Sequence, residues 1–228
     1  MGELVEQFKS CKWLDEGRCD LYHLLDSIED WIDNHKGNPR PSKSKMLLCF
    51  ARLTKIPKLI IVGQDPYPDK KATGIAFQTA ENSWSSSLDC IAKNLGYKKG
   101  FYPDLDFWVD EQGVLLMNAA LCNFGRCGKS ELFQRWHDFV FRSICLLHTL
   151  NPNVVVMLLG KKRVWSLLTG SDISADSIVK CYHPSHGWGP TEEDWKKVER
   201  KLKERKCLVE LRGSPVPCNV RKSVNVTS

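Results

Sequence analysis

The sequence predicts an α/β fold: a single domain with a central four-stranded, mostly parallel sheet flanked by helices. Two observations carry this. Four short runs are apolar along their whole length instead of alternating, and segments of helical periodicity fill the intervals between them. Strands buried on both faces read as continuous apolar runs, and alternation with helices marks crossover connections between parallel strands. A chain of 228 residues, 42% of them apolar, is long enough for one sizeable core and requires no second domain.

In chain order, "CDLYHLLDSIEDWIDNH" from Cys19 to His35 has apolar residues at helical spacing and stops near Gly37, with prolines beyond. "PSKSKMLLCFARL" reads as a second helix. The first apolar run, Lys58 to Gly63, follows it, and "SSSLDCIAKNLG" supplies the next helix. The second run is Gly113 to Leu121, followed by the long helical segment "ELFQRWHDFVFRSICLLHTL". The third is Asn153 to Gly160, followed by "KKRVWSLLTG", and the fourth is Ser177 to Tyr182. "TEEDWKKVERKLKER" closes the pattern, with Thr191 and Asp194 spaced as a capping pair and Trp195, Val198 and Leu202 on one face. After Gly213 the tail has no acids and no periodicity, which predicts a flexible or partner-dependent segment.

Composition narrows the function classes. The net charge of +6 permits a polyanionic partner without demanding one. Ten cysteines are scattered singly, as in "LLCF" and "SICLL"; there is no CxxC, and Cys122 and Cys127 form the only close pair. That pattern suits buried free thiols and predicts no metal site. The polar start "MGELVEQFKSCKW" does not read as a signal peptide, and no apolar stretch reaches the roughly 20 residues of a membrane span. The expectation is an intracellular protein without membrane contact, in nucleus or cytoplasm, or in the host cell if viral.

In an open parallel sheet, ligands sit beyond the carboxyl ends of the strands. The four ends here offer Gln64, Asp65 and Tyr67; Asn118 with Asn123; Gly160 with Lys161; and His183, Pro184 and Ser185. Singly, each has a plain alternative, since an Asp before Pro is often a turn cap and a lone His often a core hydrogen-bonder. Their shared edge makes an acid, an amide and an imidazole a candidate site.

"GQDPYP" after an apolar strand, then "TGIAF", "LLMNAAL" and "HPS" in this order, resemble the signature segments of the uracil-DNA glycosylase family (family 1 type). The resemblance runs from about Trp13 to Leu211 and takes in "PRPSKSKMLLCFAR" and "VVVMLLGKKRVW". It implies a catalytic domain over residues 1–212, and composition marks residues 213–228 as a flexible basic tail. It also implies a repair enzyme that flips uracil from DNA and hydrolyses its N-glycosidic bond, leaving an abasic site. By resemblance Asp65 positions or activates water and stabilises the cationic sugar, while His183 donates to the developing uracil O2 oxyanion with the backbone at Gln64. Asn118 would pair with uracil O4 and N3–H, which cytosine cannot match, and Tyr67, braced by Pro66 and Pro68, would exclude the thymine methyl. Phe77 would stack on the flipped base. Plain core packing is the alternative for both rings.

Ser87 and Ser185 are candidate phosphate contacts, as is the Lys161–Lys162–Arg163 cluster. The family's leucine wedge falls at Gly187 in "HPSHGWG", so His186 or Trp188 would fill the vacated stack, with Trp188 preferred for its large ring. Two other departures are Pro68, where many members have His, and "SWSSS" in place of a proline-rich loop. The expected partner is uracil-containing DNA, single- or double-stranded, bound by a monomer, with a replication partner or a protein inhibitor left open. No cofactor is expected. A weakly catalytic DNA-binding accessory subunit on the same fold, and a glycosylase for another lesion, are the competing readings.

Overall fold

Four apolar runs become four parallel strands in the computed structural model, which describes residues 2–11, 19–125, 128–186 and 188–218, the His186 side chain excepted. They are β1 (Leu59–Gly63), β3 (Val114–Asn118), β4 (Val155–Leu159) and β5 (Ile178–Cys181), ordered β3-β1-β4-β5. Every pairing in this sheet is parallel. Leu59 stands beside Val114 and Val155, and Gly63 beside Asn118, so the strands end together at one edge. All five residues of β1, β3 and β4 are buried, as continuous apolar runs require.

Helices cover both faces. α2 (Cys19–Asn34) packs on the 22-residue α6 (Lys129–Leu150), and α8 (Glu192–Glu204) packs on β4 and β5. The Thr191–Asp194 capping box is present: the Asp194 amide donates to Thr191 Oγ1 at 3.2 Å and the Thr191 amide to Asp194 Oδ2 at 2.8 Å. Trp195, Val198 and Leu202 all face the core, and Trp195 lies 6.2 Å from Trp108, ring centre to ring centre. α4 (Ser86–Asn94) forms where "SSSLDCIAKNLG" places it, capped by Ser85.

The structure departs from the sequence reading in several places. "PSKSKMLLCFARL" is not one helix but a 3₁₀ turn over Lys43–Lys45 and the short α3 (Leu48–Ala51). Leu47 leaves helical geometry between them, and Met46, Leu47, Cys49 and Phe50 all become fully buried. "KKRVWSLLTG" supplies only the four-residue α7 (Lys162–Trp165).

The polar start carries a helix, α1 (Glu3–Lys9), that periodicity over so short a segment did not announce. It is held from outside: both carboxylate oxygens of buried Glu29 on α2 accept amides of its first turn, Glu3 and Leu4, at 2.9 Å. Helix starts leave such amides unsatisfied, and an acid there is doubly favourable. Also unforeseen are β2 (Phe101–Pro103) and α5 (Leu105–Asp110), the latter capped by Asp104.

The tail expectation is corrected over its first residues. β6 (Pro215–Pro217) pairs antiparallel with β2, and the Cys218 amide donates to the Gly100 carbonyl at 2.8 Å. Residues 219–228 lie outside the described residues. No described helix is long and apolar enough to cross a membrane.

Candidate active site

The shared strand edge opens into a cleft of about 280 Å³ lined by Asp65, Tyr67, Phe77, Asn118 and His183, with Gln64, Ser87 and Ser185 also on its walls. The strand ends nominated Gln64, Asp65, Tyr67, Asn118, His183 and Ser185, whereas Phe77 came from the family resemblance and Ser87 as a phosphate-contact candidate; Asn123, Gly160 and Lys161, also at strand ends, do not line the cleft. Local geometry explains how they meet. After β1 the chain turns through Gln64–Pro68 while the chain after β3 follows it: the Ala119 amide donates to the Gly63 carbonyl at 3.0 Å and the Ala120 amide to that of Gln64 at 3.1 Å.

Gly63 is the floor. A Cβ there would stand 2.4 Å from Asn118 Oδ1 and 2.9 Å from Phe77 Cζ, so only glycine lets the amide and the ring approach. Phe77 itself sits at φ +66°, a conformation uncommon outside glycine and found at sites that the surrounding structure holds in place. Its ring centre is 6.5 Å from that of His183.

Both oxygens of Asp65 are engaged. Asn123 Nδ2 donates to Oδ2 at 2.7 Å, and Lys129 Nζ approaches Oδ1 at 3.3 Å. The Asn123 side chain is itself locked, donating to the Pro66 carbonyl at 3.1 Å and accepting from the Gly125 amide at 2.7 Å. Its backbone exchanges two 2.8 Å hydrogen bonds with Arg40. Lys129, on the first residue of α6, is 57% exposed against 9% for Asp65, so the acid is held and the cation remains open to solvent. Asn123 stood at a strand end in the sequence without a role, and Lys129 and Ser85 gave no signal there.

His183 has a defined tautomer. The Ser185 amide donates to its Nδ1 at 3.2 Å, so Nδ1 accepts and a neutral ring carries its proton on Nε2. Ser185 Oγ lies 2.8 Å from the same nitrogen. The Tyr67 hydroxyl donates to Ser85 Oγ at 2.8 Å and lies 3.4 Å from the Phe77 carbonyl. Burial pushes its phenol up to about 12, with Ser85 opposing that rise in part.

The segment after "HPS" is tied to α4: Cys90 Sγ donates to the Gly189 carbonyl at 2.8 Å, and Gly189 packs too closely on the Tyr182 carbonyl to admit a Cβ. Trp188 is 76% exposed and does not line the cleft. The His186 side chain and Gly187 lie outside the described residues. Lys161, Lys162 and Arg163 are exposed at the start of α7. Among the described residues no cluster of three or more His, Cys, Asp or Glu could hold a metal ion.

Fold and site together define an open parallel α/β protein with an acid, an amide, an imidazole and an aromatic ring converging on one pocket at the strand ends. Comparison with known proteins makes the class specific. The model of the Uracil DNA glycosylase superfamily matches residues 51–203, which span the whole sheet, the pocket and most of α8, and the chain belongs to that family.

The uracil-DNA glycosylase of human herpesvirus 7 (strain JI) is 34% identical over 154 residues, 65% of this chain and 59% of that protein. That of Streptococcus thermophilus is 31% identical over 175 residues, 72% of this chain and 77% of its own length. The chain therefore matches less than two thirds of the viral relative and more than two thirds of the streptococcal one. Among solved structures, mimivirus uracil-DNA glycosylase has a TM-score of 0.66 at 19% identity, covering 92% of this chain and 85% of that one. A mimivirus UNG variant in complex with UGI scores 0.63 at 19% identity, covering 83% and 81%. At these identities the structural likeness bears on the fold.

Proposed function

We propose that this protein is a uracil-DNA glycosylase of DNA repair, which takes uracil out of the DNA stack and hydrolyses its N-glycosidic bond. The observation that carries the reading is the convergence of Asp65, Asn118 and His183 on one cleft within the family-matched segment. Cleavage builds positive charge on the sugar and negative charge on the base, so the site needs an anion on one side and a donor on the other.

Asp65 takes the first part, facing the sugar and positioning water. Its support is the pair of side chains that hold both oxygens. His183 takes the second, donating Nε2–H to uracil O2; the amide that occupies Nδ1 supports it, because a neutral ring then presents its proton on the other nitrogen. The backbone at Gln64 joins His183 at O2. Asn118 reads O4 and N3–H, a polar match that cytosine would leave mispaired. Phe77 stacks on the base and Tyr67 stands at C5, both being cleft-lining rings.

Toward DNA, Ser87 and Ser185 contact phosphate from the cleft wall and the Lys161–Lys162–Arg163 cluster adds charge. Trp188, whose ring is largely exposed on the segment just after the cleft-lining Ser185, fills the gap left by the flipped nucleotide, with His186 the other candidate. Residues 1–212 act as the catalytic unit, working as a monomer. Because a relative has been solved in complex with UGI, a protein inhibitor of this kind is a partner to test by co-purification.

The experiment is direct. An oligonucleotide carrying one uracil is treated with the protein and then with alkali, which breaks the strand at abasic sites. Strand breakage by the wild type, falling by about 10²–10³-fold in Asp65→Asn while DNA binding persists, is the expected result. No breakage by the wild type would refute the activity, and full activity in Asp65→Asn would remove that residue from its role.

A further inference from the structure

We propose that Ser85 is a positioning residue that acts through Tyr67 to set how strictly the pocket excludes pyrimidines substituted at C5. The proposal deepens the function above and rests on it. Ser85 is 6% exposed, and its Oγ accepts two hydrogen bonds from different parts of the fold. One is the Leu88 amide at 3.1 Å, the cap of α4; the other is the Tyr67 hydroxyl at 2.8 Å.

A single hydroxyl thus joins two cleft walls. Ser86 and Ser87, in the first turn of α4, line the cleft from one side, and Tyr67 lines it from another. Tyr67 is braced at its backbone by Pro66 and Pro68, whose rings restrict the chain on either side of it. Those prolines fix where the side chain starts. They do not fix where its ring ends, because the Cα–Cβ bond still rotates.

The far end is held by Ser85, with the Phe77 carbonyl more distant at 3.4 Å. Anchored at both ends, the ring is a wall and not a flap. A base bearing a methyl or a halogen at C5 then meets a surface that cannot tilt away, whereas uracil, with hydrogen there, fits. Without the Ser85 hydroxyl only the longer 3.4 Å approach to the Phe77 carbonyl holds that end, and larger C5 substituents gain room. The chemical class controlled is 5-substituted uracils, thymine included.

The test measures discrimination rather than activity. Full-length wild type, Ser85→Ala, Tyr67→Phe and the double variant are assayed on single-stranded oligonucleotides carrying one uracil, one 5-bromouracil or one thymine. Single strands remove duplex opening from the comparison. The ratio of kcat/KM for 5-bromouracil to that for uracil should rise about three- to tenfold in each single variant, the range of one lost hydrogen bond. The double variant should rise no further than Tyr67→Phe, because that change already removes the bond that Ser85→Ala removes.

A general loss of structure would lower both activities together and leave the ratio alone. Tyr67→Phe keeps the cap on α4, so it decides the matter even if Ser85→Ala folds poorly. An unchanged ratio in Tyr67→Phe, or additive rises in the double variant, would overturn the proposal while uracil excision stood. Absence of uracil excision by the wild type would instead remove the reading beneath it, and the proposal with it.

Discussion

Gly63→Ala tests the pocket floor. Gly63 ends β1 beside Asn118, and a Cβ there would stand 2.4 Å from Asn118 Oδ1 and 2.9 Å from Phe77 Cζ. Carbon makes comfortable contacts at about 3.5 Å, so the amide must retreat by about 1 Å and the ring by roughly half an ångström. The backbones cannot make this shift, since Asn118 is held in the sheet register and Phe77 in a left-handed conformation, so the amide and the ring must swing away by side-chain rotation and leave their places in the pocket. A misplacement of about 1 Å costs on the order of 10²-fold in rate when it moves a group that contacts the reacting substrate. The added methyl costs about 1–3 kcal/mol of stability through overpacking, which a domain of ordinary stability survives folded. The assay is kcat/KM on a single-uracil oligonucleotide, with urea unfolding in parallel. The expected result is a folded protein with kcat/KM lower by about two orders of magnitude. A folded Gly63→Ala at wild-type kcat/KM would show that the tight approach of Asn118 and Phe77 has no bearing on the chemistry.

Asn123→Ala removes the donor that holds Asp65 Oδ2 and the Pro66 carbonyl, and kcat should fall roughly tenfold or more with KM little changed; an unaltered kcat would show that Asp65 needs no such support. Tyr67 predicts a pH effect on stability. Burial keeps its phenol neutral to about 12, above the ordinary 10.0, so the unfolded chain ionises first; stability is full below about pH 10 and declines as pH rises toward 12. Its share is about 1 kcal/mol by about pH 11, and Tyr67→Phe should lose that much less between pH 9 and pH 11 in urea unfolding. Equal losses in the two proteins would contradict the cause. Trp188→Ala should lower excision from double-stranded DNA about tenfold more than from single strands, where no stack needs filling, and equal effects on both would end its assignment as the wedge.

Much of this molecule was legible in its residues. The four apolar runs became the four strands, because a parallel strand covered on both faces has no polar side and so leaves a continuous mark in the sequence. Part of the pocket wall followed, since parallel strands finish at one edge, although the end of the third run, Gly160 with Lys161, does not line the cleft. Asp65, Asn118 and His183 were therefore readable as neighbours across more than a hundred residues of chain. The capping pair of α8 was readable for a simpler reason: a box needs only residues three apart.

What escaped is what depends on partners without a fixed spacing. α1 needs Glu29, 25 residues from the Leu4 amide it accepts, and β6 needs the distant β2 to give its backbone a partner. "PSKSKMLLCFARL" has helical composition, yet the backbone leaves helical geometry at Leu47 and the run divides into a 3₁₀ turn and α3, a break that no residue in it announces.

The amino-acid sequence alone determined the four strands, the helices α2, α4, α6 and α8 and the inventory of groups at the strand ends, because periodicity records which faces are buried. Only the tertiary structure decided how those groups are held. Asn123 and Lys129 reach Asp65 across 58 and 64 residues, and Ser85 reaches Tyr67 across 18. Hydrogen bonds of this kind are set by the register of the strands and the direction of the loops beyond them, and no local pattern encodes either.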